Sequence, residues 1–211
     1  MWPYGGSIAG FFIGKIEFGI LDSQDDKSLK ILMVISTLIW VVYSQLDSTL
    51  PQYMYSNIIN GVDIYSWMLV VNAVMCVTLQ IVVSRITKNI DVKIISKFSM
   101  FSLSASYILL SYFSSKIALI AAIVFMTLAE IIAMPLNELL VMQIAPRDRI
   151  GTYYGILAIS VLGLGIGPMI GGYLYEYFGH RVLFMICSAV CIFIIFLYGK
   201  LVSSISHGNL I

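Results

Sequence analysis

Between Ala145 and Gly172 the chain reads APRDRIGTYYGILAISVLGLGIGPMIGG: a short loop carrying Arg147, Asp148 and Arg149 opens directly onto an apolar run of bilayer-spanning length. That run holds Gly163, Gly165, Gly167, Pro168, Gly171 and Gly172. In a helix facing water each glycine costs about 1 kcal/mol against alanine and the proline about 3. Inside a bilayer the same residues are tolerated, because neighbouring helices re-satisfy the backbone groups they free. Gly163, Gly167 and Gly171 recur every fourth residue, so they share one helix face and leave it flat enough for a second backbone to lie against it.

Such a face implies membrane helices to pack with, and the composition supplies them. Of 211 residues 60% are hydrophobic and 11% charged, with a mean hydropathy of +0.96, whereas soluble domains are about half apolar and a quarter charged. The charges gather in the joints between apolar runs, so the net charge of +1 carries no signal for nucleic acid. Cys76, Cys187 and Cys191 lie within apolar runs and read as packing residues. Cys187 and Cys191 stand one helical turn apart without a His or carboxylate beside them, so no metal site is expected. No cofactor is expected either. Residues 1–14 are apolar and glycine-rich but shorter than the ~20 residues a bilayer needs, and read as the remnant end of a preceding helix. Residues 15–30, with Lys15, Glu17, Asp22, Asp25, Asp26, Lys27 and Lys30, read as a solvated cytoplasmic linker.

Six spans follow, over residues 31–57, 66–83, 94–113, 117–144, 151–173 and 182–202, with charges and turn residues in the breaks. A six-helix transmembrane domain over 31–203 and a tail over 204–211 result. Lys15, Lys27, Lys30, Arg85, Lys88, Lys93, Lys97, Arg147, Arg149 and Lys200 fall on one side; Lys116 and Arg181 fall on the other. This bias puts both ends of the chain and the loops after the second and fourth spans in the cytoplasm.

The pattern Gly163, three residues, Gly167-Pro168, two residues, Gly171-Gly172 resembles the core of the antiporter motif of the major facilitator superfamily. Tyr154 stands where that motif carries a further glycine, and Gly155 is one position off. The preceding A-P-x-x-x-x-G-x-Y-x-G, Ala145 to Gly155, resembles the loop leading into the eleventh helix of the drug exporters of that family. The resemblance implies an all-α membrane fold equivalent to one half of a twelve-helix facilitator, its spans corresponding to helices seven to twelve. The Ser84 to Lys97 loop then occupies the place of the family's basic inter-helix motif, keeping Arg85 and lysines but not the glycine and aspartate pattern.

Ionisable groups within spans are candidates for function, because hydrocarbon makes them costly. Asp47 lies in the outer half of the first span, Glu130 near the middle of the fourth, and Glu138 deeper toward the cytoplasmic side. On a continuous helix Trp40, Tyr43, Asp47 and Pro51 share one stripe, and aromatic rings beside a carboxylate suit a greasy cation. Glu130 and Asn137 are about 20 degrees from eclipse, Glu138 is about 80 degrees away, and Pro135 between them removes a helix hydrogen bond.

The resemblance implies that the first and fourth spans line the central cavity. Asp47 and Glu130 are then expected where substrate and proton are exchanged, with Trp40, Tyr43 and Asn137 lining the cavity. A bare charge is disfavoured there, so Glu130 is expected to hold a proton until the cavity opens to the cytoplasm, competing with a cationic substrate for the same carboxylate. The alternative for Glu130 is a structural carboxylate bonded to a neighbouring helix. The alternative for Asp47 is a carboxylate that simply sits in water at the outer mouth. Glu138 is expected to bridge Arg85 or Arg147 and hold a cytoplasmic gate shut, while Asn72 and Gln80 bond helix to helix. Gly163, Gly167, Pro168, Gly171 and Gly172 are expected to form the hinge or seal between two six-helix halves that rock against each other.

The function so implied is proton-coupled efflux of a hydrophobic or cationic small molecule across a bacterial cytoplasmic membrane. Expected partners are lipid, substrate, protons, and a missing N-terminal six-helix half or a second copy. A facilitator importing a sugar or amino acid, and a non-transporting membrane interaction subunit, are the alternatives. A membrane enzyme is disfavoured: His180 and His207 fall in a loop and a tail with no ligand or nucleophile spacing around them.

Overall fold

The computed structural model describes residues 24–87 and 90–208. The expected remnant at 1–14, most of the expected linker at 15–30, Lys88 and the last residues of the tail lie outside them. The described chain is helical: α1 (Gln24–Tyr43), α2 (Thr49–Asn57), α3 (Gly61–Thr87), α4 (Val92–Tyr112), α5 (Lys116–Ile144), α6 (Ile150–Ala158), a 3-10 turn (Ile159–Val161) and α7 (Leu162–Gly208). Among the described residues four stretches are long and apolar enough to cross a membrane: Gly61–Thr87, Val92–Tyr112, Lys116–Ile144 and Ile150–Ile205. The last has 56 residues, about 84 Å of helix at ~1.5 Å per residue, far more than the ~30 Å of one hydrocarbon core. Gly179 breaks its path, with φ 78 and ψ 170, a backbone that a residue with a Cβ rarely adopts.

The first expected span, 31–57, is not one helix. It stops at Tyr43, turns through residues 44–48 and restarts at Thr49. Irregular backbone at membrane depth survives only where side chains take up the freed groups, and here several do. The Tyr107 hydroxyl donates to the Val42 carbonyl at 2.6 Å, Ser44 Oγ and Gln45 Nε2 donate to the Val41 carbonyl at 2.8 and 2.9 Å, and the Tyr65 hydroxyl donates to the Leu46 carbonyl at 3.0 Å.

A second device joins α4 to α5. Ser99, Ser102 and Ser106 each donate to a carbonyl of α5, on Ala129, Phe125 and Ala122, at 2.9, 2.8 and 2.7 Å. Small hydroxyl residues let the two backbones approach and bond across the gap. Asp91 and Ser115 cap the two helices, accepting from the backbone N–H of Lys93 and Ala118 at 2.7 and 3.3 Å. The core between α1, α4 and α7 holds Leu32, Ile35, Ile39, Tyr107, Phe184 and Cys191, all buried. By contrast α3 leaves Trp67, Val70, Val74, Val77 and Ile81 exposed, an apolar face that a bilayer or a further helix covers.

The glycine face is buried inside this unit. A Cβ at Gly163 would stand 2.6 Å from the Thr37 carbonyl oxygen and 2.8 Å from Trp40 Cβ. One at Gly167 would collide with Ser44 Oγ and stand 2.8 Å from the Val41 carbonyl oxygen, and one at Gly171 would collide with Gln45 Oε1. Gly165 and Gly172 meet nothing within 4 Å. The expectation that this face seals two halves is therefore corrected: α1 already occupies it, and Gly172 stands off it.

Candidate transport site

Glu130 lies in α5, half-buried, where α1, α3 and α5 meet. Its Oε2 is the acceptor of a converging set of donors. The Tyr43 hydroxyl, from the last residue of α1, donates to it. Asn72 Nδ2, from α3, donates to it at 3.1 Å, and Cys76 Sγ, one turn further along α3, lies 3.8 Å away. Thr127 fixes the amide: it accepts from Asn72 Nδ2 at 3.0 Å and passes its own hydrogen to the Ile123 carbonyl at 2.7 Å. With Thr127 accepting, the Asn72 side chain has its NH2 turned toward Glu130. Oε1 of Glu130 takes no hydrogen bond from the described residues. One oxygen is thus held by three side chains.

A second polar group lies further along α5. Asn137 Oδ1 accepts from the Tyr198 hydroxyl of α7 at 2.6 Å. Asn137 also lines a cleft of about 210 Å³ together with Ser36 and Trp40 of α1, Glu138 of α5, and Tyr154 and Ser160 beyond it. Trp40 and Asn137 therefore share one cavity, whereas Tyr43 turns to Glu130.

Several expectations are corrected. The stripe of Trp40, Tyr43, Asp47 and Pro51 does not exist, because the helix breaks within it. Asp47 lies exposed in the turn and makes no hydrogen bond to Glu130 or its donors. Glu138 is exposed and, among the described residues, pairs with neither Arg85 nor Arg147; the ion pair found there is Arg149 with Asp148, at 3.6 Å on the surface. Gln80 is exposed and bonds to no described neighbour. Cys76, read as packing, belongs to the Glu130 cluster. Asn72 does bond helix to helix, and its partners are Thr127 and Glu130.

The family model described as Major Facilitator Superfamily matches residues 29–207. Two MFS-type transporters of Bacillus subtilis strain 168 are similar: YqjV, 30% identical over 175 residues, covering 78% of this chain and 41% of that protein, and YttB, 28% identical over 178 residues, covering 81% and 44%. Among solved structures, the human organic anion transporter MFSD10 (TETRAN) superposes with a TM-score of 0.66 at 18% identity, over 82% of this chain and 41% of that one; this likeness speaks to the fold. The chain spans about two-fifths of the length of these proteins. Family match and apolar helices agree: the chain is a multi-pass membrane protein and belongs to the major facilitator superfamily.

Proposed function

We propose that this chain forms the proton-coupled half of an exporter of small molecules in a bacterial cytoplasmic membrane, its six apolar runs corresponding to helices seven to twelve and both its tails lying in the cytoplasm. The observation that carries the reading is Glu130, a carboxylate inside a membrane bundle with donors from α1, α3 and α5 on a single oxygen. Such a carboxylate is a functional group by default, since burying it without a task is costly. When ionised it accepts the Tyr43 and Asn72 hydrogens. When protonated it has less need of them, and α1 and α3 are freed from α5. Taking up and releasing a proton on Oε1 thus changes how tightly three helices are tied together, which is the elementary step that coupling requires.

The break at residues 44–48 gives this step somewhere to go. Tyr43 ends α1 at the edge of the turn, so releasing it frees the joint between α1 and α2. Asp47, exposed in that turn, sits at the outer mouth in this reading and has no part in the proton path. The glycine seam of α7 acts within the unit, letting α1 and the turn come close enough for Gln45 to bond the Gly167 carbonyl. A second six-helix unit, as a separate half or a second copy, completes the cavity.

The test is substrate-dependent proton release. In everted vesicles carrying the chain with its completing unit, adding a transported substrate dissipates an imposed pH gradient. Glu130→Gln is expected to abolish that dissipation while leaving the amount of inserted protein unchanged. Dissipation at the original rate in Glu130→Gln rules the proposal out.

A further inference from the structure

Where α4 and the part of α7 after Gly179 lie side by side, hydrogen bonds fix their register. The Ser104 and Ser188 hydroxyls bond at 2.8 Å, and Ser111 Oγ donates to the Arg181 carbonyl at 3.2 Å. Ser111 is two turns on from Ser104 and Arg181 two turns back from Ser188, so the helices run antiparallel and in step. Two turns the other way bring Lys97 level with Ile195 and Phe196, and one turn more brings Lys93 level with Gly199 and Lys200. The outward edge of this seam is marked by Tyr112 and Met185, both exposed, whose hydroxyl and sulfur lie 3.5 Å apart. Phe101 and Lys97 continue that edge along α4, Ile192 and Phe196 along α7, all at helical spacing and all exposed. Lys200 folds back over the Phe196 ring, its Nζ 4.6 Å from the centroid. No acid answers these charges. Residues 92–112 and 177–208 contain no Asp or Glu, Asp91 turns its carboxylate to the Lys93 backbone N–H at 2.7 Å, and among the described residues none of Lys93, Lys97 and Lys200 forms an ion pair.

We propose that this groove seats an anionic phospholipid, its phosphate among Lys93, Lys97 and Lys200 and an acyl chain along Phe101 and Ile192. Lysines spread singly round a rim attract anionic lipid without making a seat. Here two helices held in step present three ammonium groups at one end of one groove, above an apolar floor that a chain can cover. Long lysine side chains lie along such a floor and carry their charge out to headgroup level, where each contributes roughly fivefold in affinity for an anionic surface. A phosphatidylcholine headgroup brings its own cation and gains little from them, so charge selects the lipid. The inference is independent of proton coupling. It takes from the transport reading only the orientation, which puts this end of α4 and α7 at the cytoplasmic leaflet.

The experiment is native mass spectrometry of the purified chain in detergent, titrated with phosphatidylglycerol and with phosphatidylcholine of matched chains. The parent chain is expected to prefer phosphatidylglycerol by at least ~tenfold. Lys97→Gln and Lys200→Gln are each expected to weaken phosphatidylglycerol about fivefold and to leave phosphatidylcholine unchanged. Phe196→Leu keeps the apolar floor, removes the ring under Lys200, and is expected to weaken phosphatidylglycerol about threefold. Lys116→Gln, at the other end of the bundle, is expected to change neither affinity, and so is Glu130→Gln, which keeps a loss of proton coupling distinct from a loss of this seat. Glycerol phosphate, which has the anion without the chains, is expected not to displace the lipid. The lysines are exposed, so their variants keep the fold, and an unchanged unfolding temperature verifies this. Equal affinity of the parent chain for the two lipids, a preference that survives the double variant Lys97→Gln/Lys200→Gln, equal weakening by Lys116→Gln, or displacement by glycerol phosphate overturns the proposal.

Discussion

Tyr43, the last residue of α1, gives its phenolic hydrogen to Glu130 in α5. The bond reaches from the edge of a helix break to the interior carboxylate and ties the two together. Removing the hydroxyl with Tyr43→Phe keeps the ring in its buried site and deletes the tie. Hydrogen bonds to charged groups contribute about 1.5–3 kcal/mol. The expected result is a lower unfolding temperature and proton-driven efflux reduced at least tenfold, read by thermal melts and vesicle transport.

Asn72→Ala attacks the same oxygen from α3. It strips Glu130 Oε2 and Thr127 Oγ1 of a donor together, leaving two acceptors underserved in the interior. A destabilisation of about 1–3 kcal/mol is expected. Because the two variants share an acceptor, the double variant Tyr43→Phe/Asn72→Ala is expected to be non-additive, which a double-mutant cycle of melting free energies checks.

The glycines divide into two classes that one substitution type separates. Gly167→Ala puts a methyl group on Ser44 Oγ and 2.8 Å from the Val41 carbonyl oxygen, and overpacking of this sort costs about 1–3 kcal/mol. Gly165→Ala and Gly172→Ala meet nothing within 4 Å and gain up to about 1 kcal/mol of helix propensity. Melting temperatures are expected to fall for Gly167→Ala and Gly171→Ala and to hold or rise for the other two.

Gln45 is the staple of the break. It is 2% exposed, donates to the carbonyls of Val41 and Gly167 at 2.9 and 3.0 Å, and accepts from the Thr49 hydroxyl at 2.8 Å. Gln45→Leu keeps the bulk and removes these bonds together with the one to Ser44 Oγ at 3.1 Å. Faster amide hydrogen exchange at residues 44–50 is expected, with α4 and α5 unchanged; unaltered exchange in the turn contradicts the assignment.

The glycine seam was legible because spacing alone fixes which residues share a helix face, and a flat face needs a close neighbour. Which neighbour is not legible: periodicity does not say which helices meet, so spacing alone does not single out α1 as the occupant. The break at 44–48 escaped for a related reason. Ser44 to Ser48 contains no proline or glycine, and much of what holds the turn comes from Tyr65, Tyr107 and the Gly167 carbonyl far along the chain. A local signal was present in Ser48-Thr49-Leu50-Pro51, since a proline in the first turn after Ser or Thr marks a helix start. Glu130 was legible from the cost of burying it, whereas its donors Tyr43, Asn72 and Cys76 come from two other helices. The expected bridge from Glu138 to Arg85 or Arg147 rested on charge alone, and the cleft beside Trp40 gives that carboxylate a different setting.

The role proposed for Glu130 is to carry the proton, with the substrate bound without it. Vesicles loaded with labelled substrate separate the two when the same preparation is assayed for substrate-for-substrate exchange and for accumulation driven by a pH gradient. In Glu130→Gln, exchange close to that of the parent chain and no gradient-driven accumulation are expected. Accumulation that still follows the pH gradient in this variant contradicts it.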